Sequence, residues 1–245
     1  MKFIRTALVI ALITSGVLAC FDTYLFLAER PMVYPAKTLA FDGFGEYSVN
    51  ESKNPAEDEF LISFNAFYGI DGRLSLLLGG GSSEKGRGEF AFDEIWLGAT
   101  YNLLSRKDGA YTLDAMAACV NNFDEKELAL EISAPNIFHS RGLTLVAHPV
   151  MEVIPSEGDV SFGAHFGLFK SLDKRAVFGI GAEYMSAQSG PVFGNRIVEG
   201  ETAMSLFFGA MIGKNFYIQN EFAKGLANSR DFGFATTLKF LIDMR

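Results

Sequence analysis

Phe60-Leu61-Ile62-Ser63-Phe64-Asn65-Ala66-Phe67-Tyr68-Gly69-Ile70-Asp71-Gly72-Arg73-Leu74-Ser75-Leu76-Leu77-Leu78 is the stretch whose periodicity decides the fold class. Successive side chains of a strand point to opposite faces, so a period of two separates its residues into two sets. Phe60, Ile62, Phe64, Ala66, Tyr68 and Ile70 share one face, and Leu61, Ser63, Asn65, Phe67 and Gly69 share the other. Asp71-Gly72 then suits a two-residue hairpin turn, because Gly, and more readily than most residues Asp, accepts positive φ. The next strand resumes with Leu74, Leu76 and Leu78 against Arg73, Ser75 and Leu77.

The same pattern recurs on both sides of this hairpin. Alternation predicts strands at 38–48, 60–70, 73–81, 89–104, 110–120, 126–134, 142–154, 159–170, 175–186, 199–213, 215–224 and 231–242. Each is about the length that a tilted membrane strand requires. Connections after even-numbered strands are mostly tight: Asp71-Gly72, Ser105 to Gly109, Ser171 to Lys174, and Lys214-Asn215. Those after odd-numbered strands are often longer: Val49 to Asp58, Gly81 to Gly88, and Ala187 to Val198. Short turns at one end and long loops at the other are the asymmetry of outer-membrane barrels, whose short turns are periplasmic. The expected fold is a closed antiparallel up-and-down transmembrane β-barrel of about twelve strands over residues 38–245.

The composition of the faces agrees. The apolar face would meet lipid, while the opposite face carries Gly, Ala, Ser, Thr and scattered acids, with Lys and Arg displaced into turns. Lipid-facing aromatics gather near strand ends, as interfacial belts require: Tyr68, Tyr101, Tyr111, Phe216 and Phe240 at one end, Tyr47, Phe60, Tyr184 and Phe232 at the other. Pro149 falls inside a strand and must remove a ladder bond, which predicts a bulge or kink there.

The first nineteen residues form a signal peptide. Lys2 and Arg5 precede an uncharged, mainly apolar stretch from Thr6 to Ala19, too short to span a bilayer as a helix. Residues 20–37 follow as a periplasmic N-terminal leader, with a plug or an extra edge strand as the other readings of Tyr24-Leu25-Phe26-Leu27, Pro31 and Pro35. Loss of Lys2 and Arg5 takes the net charge from −8 to −10, which is unsuited to nucleic acid, where bases must neutralise phosphates.

This organisation resembles Gram-negative outer-membrane β-barrel proteins, and Phe67-Tyr68-Gly69-Ile70-Asp71-Gly72-Arg73-Leu74-Ser75-Leu76 looks like the tight-hairpin element of porin-like and aromatic-compound-uptake barrels. The resemblance implies an exported outer-membrane protein with lipid around it, assembled by the outer-membrane machinery and open to small solutes. Gly16-Val17-Leu18-Ala19-Cys20 also resembles a bacterial lipobox, in which Cys20 would be lipidated; ordinary cleavage after Ala19 leaves it a plain residue. The C-terminal strand departs from the usual aromatic ending, because Leu241-Ile242-Asp243-Met244-Arg245 follows Phe240.

The candidate functional residues are the acids that alternation places on the inner face: Asp42, Glu46, Glu94, Asp114, Glu131, Glu152, Glu183, Glu201 and Glu221. Arg73 and Lys239 are the expected inner bases, with His148 and His165 beside them. Excess carboxylates focus negative potential and favour cations. The expected function is a narrow passive channel for neutral or cationic solutes, against a non-conducting surface-contact barrel and, more distantly, a hydrolase. No catalytic, metal or cofactor-binding motif is present: His139-Ser140 lies near an expected turn, and Gly79-Gly80-Gly81-Ser82 lacks the Lys-Ser/Thr of a phosphate loop. Cys119 is expected on the lipid face.

Overall fold

The computed structural model describes residues 21–49, 58–84, 90–123, 126–156, 158–186 and 200–244. The expected signal peptide and Cys20, like residues 50–57, 85–89 and 187–199, lie outside the described residues. A short helix, α1 (Thr23–Leu27), precedes β1 (Thr38–Val49), β2 (Glu59–Gly69), β3 (Leu74–Glu84), β4 (Phe90–Ser105), β5 (Tyr111–Asn122), β6 (Glu127–Ser133) and β7 (Asn136–Ser140). Then come β8 (Leu143–Ile154), β9 (Asp159–Leu172), β10 (Ala176–Met185), β11 (Glu201–Ile212), β12 (Phe216–Ala227) and β13 (Phe232–Asp243).

Every neighbouring pair is antiparallel, and the sheet closes where β1 meets β13, from Thr38 opposite Asp243 to Val49 opposite Phe232. β6 and β7 both pair with β5 on one side and β8 on the other, so they are two halves of one strand and the barrel has twelve positions. The sixth strand therefore runs to Ser140, longer than expected, and ends in a tight turn at Arg141-Gly142.

Two prolines explain the break in that strand. Ala134 N–H donates to Pro149 C=O and Asp114 N–H donates to Pro135 C=O. Proline has no N–H to return the second bond of either pair. The bulge expected at Pro149 is absent, since β8 runs through it without a register shift against β9; the break in bonding lies in the neighbouring strand instead. The register shifts fall instead at Gly81/Ser82, Asn102/Leu104 and Thr202/Ala203.

The barrel is apolar outside. Phe64, Leu97 and Leu206 are 69%, 61% and 59% exposed, while Trp96 and Phe26 inside are 1% and 0% exposed. A belt of bare Leu, Ile and Phe around a whole sheet suits hydrocarbon rather than water. Aromatic pairs gather on this face near both ends: Tyr111–Phe138 and Phe216–Phe240 by the short turns, Phe60–Phe90 and Phe222–Phe232 by the long loops. Cys119 is on the outer face, half-buried, with a free thiol.

Residues 21–37 lie inside the end of the barrel that bears the short turns. Phe21, Leu25, Phe26 and Leu27 are buried against Phe169, Val177, Phe207 and Tyr217 of the inner wall. The chain reaches this position by crossing the end of β2, where Lys37 N–H donates to Gly69 C=O. A Cβ at Gly69 would collide with the main-chain carbonyls of Tyr34 and Pro35, so glycine makes the crossing feasible. Of leader, plug and edge strand, the geometry of these residues is that of a plug.

Candidate functional site

The inner surface has two levels. At the level of the plug, polar contacts reach it from around the ring. Tyr34 N–H donates to Ser75 Oγ at 2.7 Å, and Met32 N–H donates to Asp114 Oδ2 at 2.7 Å. Thr23 Oγ1 donates to Gln219 Oε1 at 2.5 Å and meets Tyr217 Oη at the same distance. His139 Nε2 sits 3.3 Å from Arg30 C=O, and Gly142 N–H donates to Glu29 Oε1 at 2.8 Å. His139, expected near a turn, is thus an inward residue of β7 that holds the plug.

Lys239 is the centre of this level. Its ammonium is 2.5 Å from Asp22 Oδ2, 2.5 Å from Tyr34 Oη and 3.4 Å from Asp42 Oδ2, and it is 3% exposed. Tyr34 in turn donates to Asp22 Oδ2 at 2.5 Å; burial, followed by the nearby Asp22 charge, pushes its hydroxyl well above the usual tyrosine range and keeps it a donor. Asn65 Nδ2 donates to Asp42 Oδ1 at 2.8 Å, and its Oδ1 accepts from Trp96 Nε1 at 2.8 Å. A charge buried this deeply is tolerable only where opposite charges and hydrogen bonds replace water. Asp22 belongs to the plug and Asp42 to the wall, so the ammonium ties one to the other. Beside it lies a mainly apolar cavity of about 70 Å³, lined by Phe44, Asn65, Phe67, Met116 and Thr237 among others. Such a space admits water.

Toward the long-loop end the wall turns acidic. Burial and alternation put Glu46, Glu94, Glu131, Glu152, Glu183, Glu201 and Glu221 on the inner face, together with Asp42 and Asp114 below them. Glu131 and Glu152 stand directly opposite across β6 and β8. His148 and His165 are also inward, their rings edge to face at 5.5 Å, and His148 Nε2 lies 2.8 Å from Ser133 Oγ. Among the described residues, no group of three His, Cys, Asp or Glu side chains is arranged to hold a metal ion.

The expected inner bases change in one respect. Lys239 is inside, but Arg73 is exposed in the β2–β3 turn. Strand alternation stops at Gly69, and counting it onward through the turn misassigned Arg73. A base the alternation could not reveal takes its place. Arg230 folds inward from the β12–β13 loop, donates to Ser48 Oγ at 2.8 Å, pairs with Glu46, and lies 3.9 Å from Glu183 Oε1. β1, which carries Glu46, and β10, which carries Glu183, are four positions apart around the barrel, so Arg230 spans part of the lumen as a crossbar. A Cβ at Gly225 would run into the Arg230 main-chain carbonyl, so glycine there leaves room for the inward fold. Among the described residues, Lys239 and Arg230 are the Lys and Arg side chains that face inward.

No family model matches the chain, and no curated protein matches it. Solved structures do. The COG4313 outer membrane channel from Pseudomonas putida F1 aligns with a TM-score of 0.68 and 12% identity, over 86% of this chain and 97% of that one. The KdgM porin aligns with a TM-score of 0.59 and 7% identity, over 82% and 98% of the two chains. The NanC porin aligns with a TM-score of 0.58 and 9% identity over the same shares. At such identities the likeness is one of fold, and the fold is that of porin-like outer-membrane barrels.

Proposed function

We propose that this chain is exported by a cleaved signal peptide to the outer membrane, where it acts as a narrow passive channel that favours neutral or cationic small solutes. The observation that carries the reading is the inner charge balance. The nine acids placed inward above, joined by the buried Asp93 and Asp159, face Lys239 and Arg230, and Lys239 is already neutralised by Asp22 and Asp42. The remaining carboxylates act where protein walls confine field lines, so a cation entering from the long-loop end meets an attractive potential and an anion a repulsive one. The plug fills the other end, and conduction requires solutes to pass beside it or to displace it.

That plug also favours a second reading, a non-conducting barrel whose outer loops contact a partner. Conductance of the full chain in planar bilayers separates the two. Cation-selective current whose preference falls in the Glu94→Gln, Glu131→Gln, Glu183→Gln variant supports the channel. A barrel shown to be folded by its heat-dependent gel mobility, yet silent with the plug in place and with it released, refutes it.

A further inference from the structure

Every tight turn at the plugged end carries an exposed base: Arg73 between β2 and β3, Lys107 between β4 and β5, Arg141 between β7 and β8, Lys174 between β9 and β10, and Lys214 between β11 and β12. Lys37, at the start of β1, fills the remaining interval of the ring. Acids at this end are fewer and partly engaged. Asp71 accepts from the N–H groups of Arg73 and Leu74 in its own turn, and Asp108 pairs with Arg106 at 3.1 Å. Asp173 and Asp243 stand beside Lys174 and Lys37. At the opposite end the described acids Asp58, Glu59, Glu84, Glu127, Asp159 and Asp231 outnumber the bases Lys126, Lys224 and Arg230, which gives the reverse sign. A chain of net charge −8 is therefore polarised along the barrel axis.

The arrangement is a ring rather than a patch. Adjacent turns are two strand spacings apart, about 10 Å, close to the distance over which salt screens charge. A protein partner docking on one side would leave most of these bases unused. Lipid surrounds the whole circumference, and the bases lie just beyond the lipid-facing aromatics Tyr111, Phe138, Phe216 and Phe240. Basic side chains at that height reach the headgroup layer and are attracted to anionic lipids. We propose that this ring is a collar that binds anionic phospholipid headgroups in the leaflet facing the short turns. The collar rests on the barrel spanning a bilayer, not on its conducting.

The test compares the full chain in vesicles of phosphatidylcholine alone with vesicles in which roughly one lipid in three is phosphatidylglycerol. The temperature at which heat-dependent gel mobility is lost should rise in the anionic vesicles by at least about 2–4 °C at low salt, and the difference should vanish at high salt. The Lys107→Gln, Arg141→Gln, Lys174→Gln, Lys214→Gln variant changes only turn residues and should lose the difference while folding normally in phosphatidylcholine. Equal temperatures for the native chain in both vesicles would overturn the collar, as would a neutralised variant that keeps the full difference; binding of an acidic polymer or protein by a lipid-indifferent native chain would reassign the ring. A lipid-sensitive barrel that never conducts would refute the channel and leave the collar standing.

Discussion

The two levels of the lumen solve the problem of a barrel too wide for its own side chains in opposite ways. Twelve strands lie between barrels that side chains can fill and those that hold an aqueous channel. At the short-turn end the space is filled by chain: α1 and its flanking residues place Phe21, Leu25, Phe26 and Leu27 against an apolar wall. The ionic contact there is compact, around a Lys239 that is 3% exposed. At the long-loop end the described wall is lined by carboxylates and crossed by the Arg230 guanidinium, whose side chain retains 17% exposure. The first arrangement closes a passage. The second lines its level with acids instead of filling it with chain.

If the plug is held by the buried ammonium, the largest effect should come from its removal. Lys239→Met leaves Asp22 and Asp42 facing each other without a counter-ion, a change of about 3–5 kcal/mol at such a site. Those carboxylates belong to different segments, so the energy is relieved by letting the plug out. The expected result is a higher single-channel conductance and faster chymotryptic cleavage after Phe26, which the native plug buries, with the barrel still showing heat-dependent mobility. Native conductance together with native proteolysis would mean that the apolar contacts of α1 hold the plug by themselves, and the contrast between a latched level and an open one would be lost.

Removing the crossbar probes the other level. Arg230→Gln keeps a donor for Ser48 Oγ but deletes the charge between Glu46 and Glu183. The loss of stability should be small, about 1 kcal/mol, because part of the guanidinium is solvated. The reversal potential in a salt gradient should move further toward the cation value. A shift toward anions, or none in a conducting channel, would show that Arg230 stands outside the permeation path.

The difference between the levels also marks how far the sequence could be read. Alternation assigns Phe60, Ile62 and Phe64 to the outside and carries the nine acids inward, because a strand's side-chain period is a local property that neighbours do not alter. It places Lys239 inward but is silent on its partner Asp22, which meets it across a separation of 217 residues through a segment with no period of two. It is equally silent on Arg230, which arrives from a loop. It misplaced Arg73 by continuing into a turn, and it ended the sixth strand early because Ala134-Pro135 lacks the bonding that a strand needs. Wall positions were legible, and the occupants of the lumen were not.

The smallest effect should come from a hydrogen-bonded path by which the levels touch. Trp96 Nε1 donates to Asn65 Oδ1, and Asn65 Nδ2 donates to the carboxylate of Asp42 that also faces Lys239. Trp96→Phe removes the first donor and leaves the amide oxygen of Asn65 short of a partner, a loss of about 0.5–1.5 kcal/mol. Were the levels independent, that loss would lower the unfolding temperature alone. Because Asn65 orients Asp42, we expect a second consequence: a modest rise in chymotryptic cleavage after Phe26, in the same direction as Lys239→Met and well below it. Combining the two substitutions separates the cases. If Trp96 acts through Asp42, the double variant should release the plug no more than Lys239→Met does; full additivity would mean that Trp96 supports the wall and has no part in holding the plug.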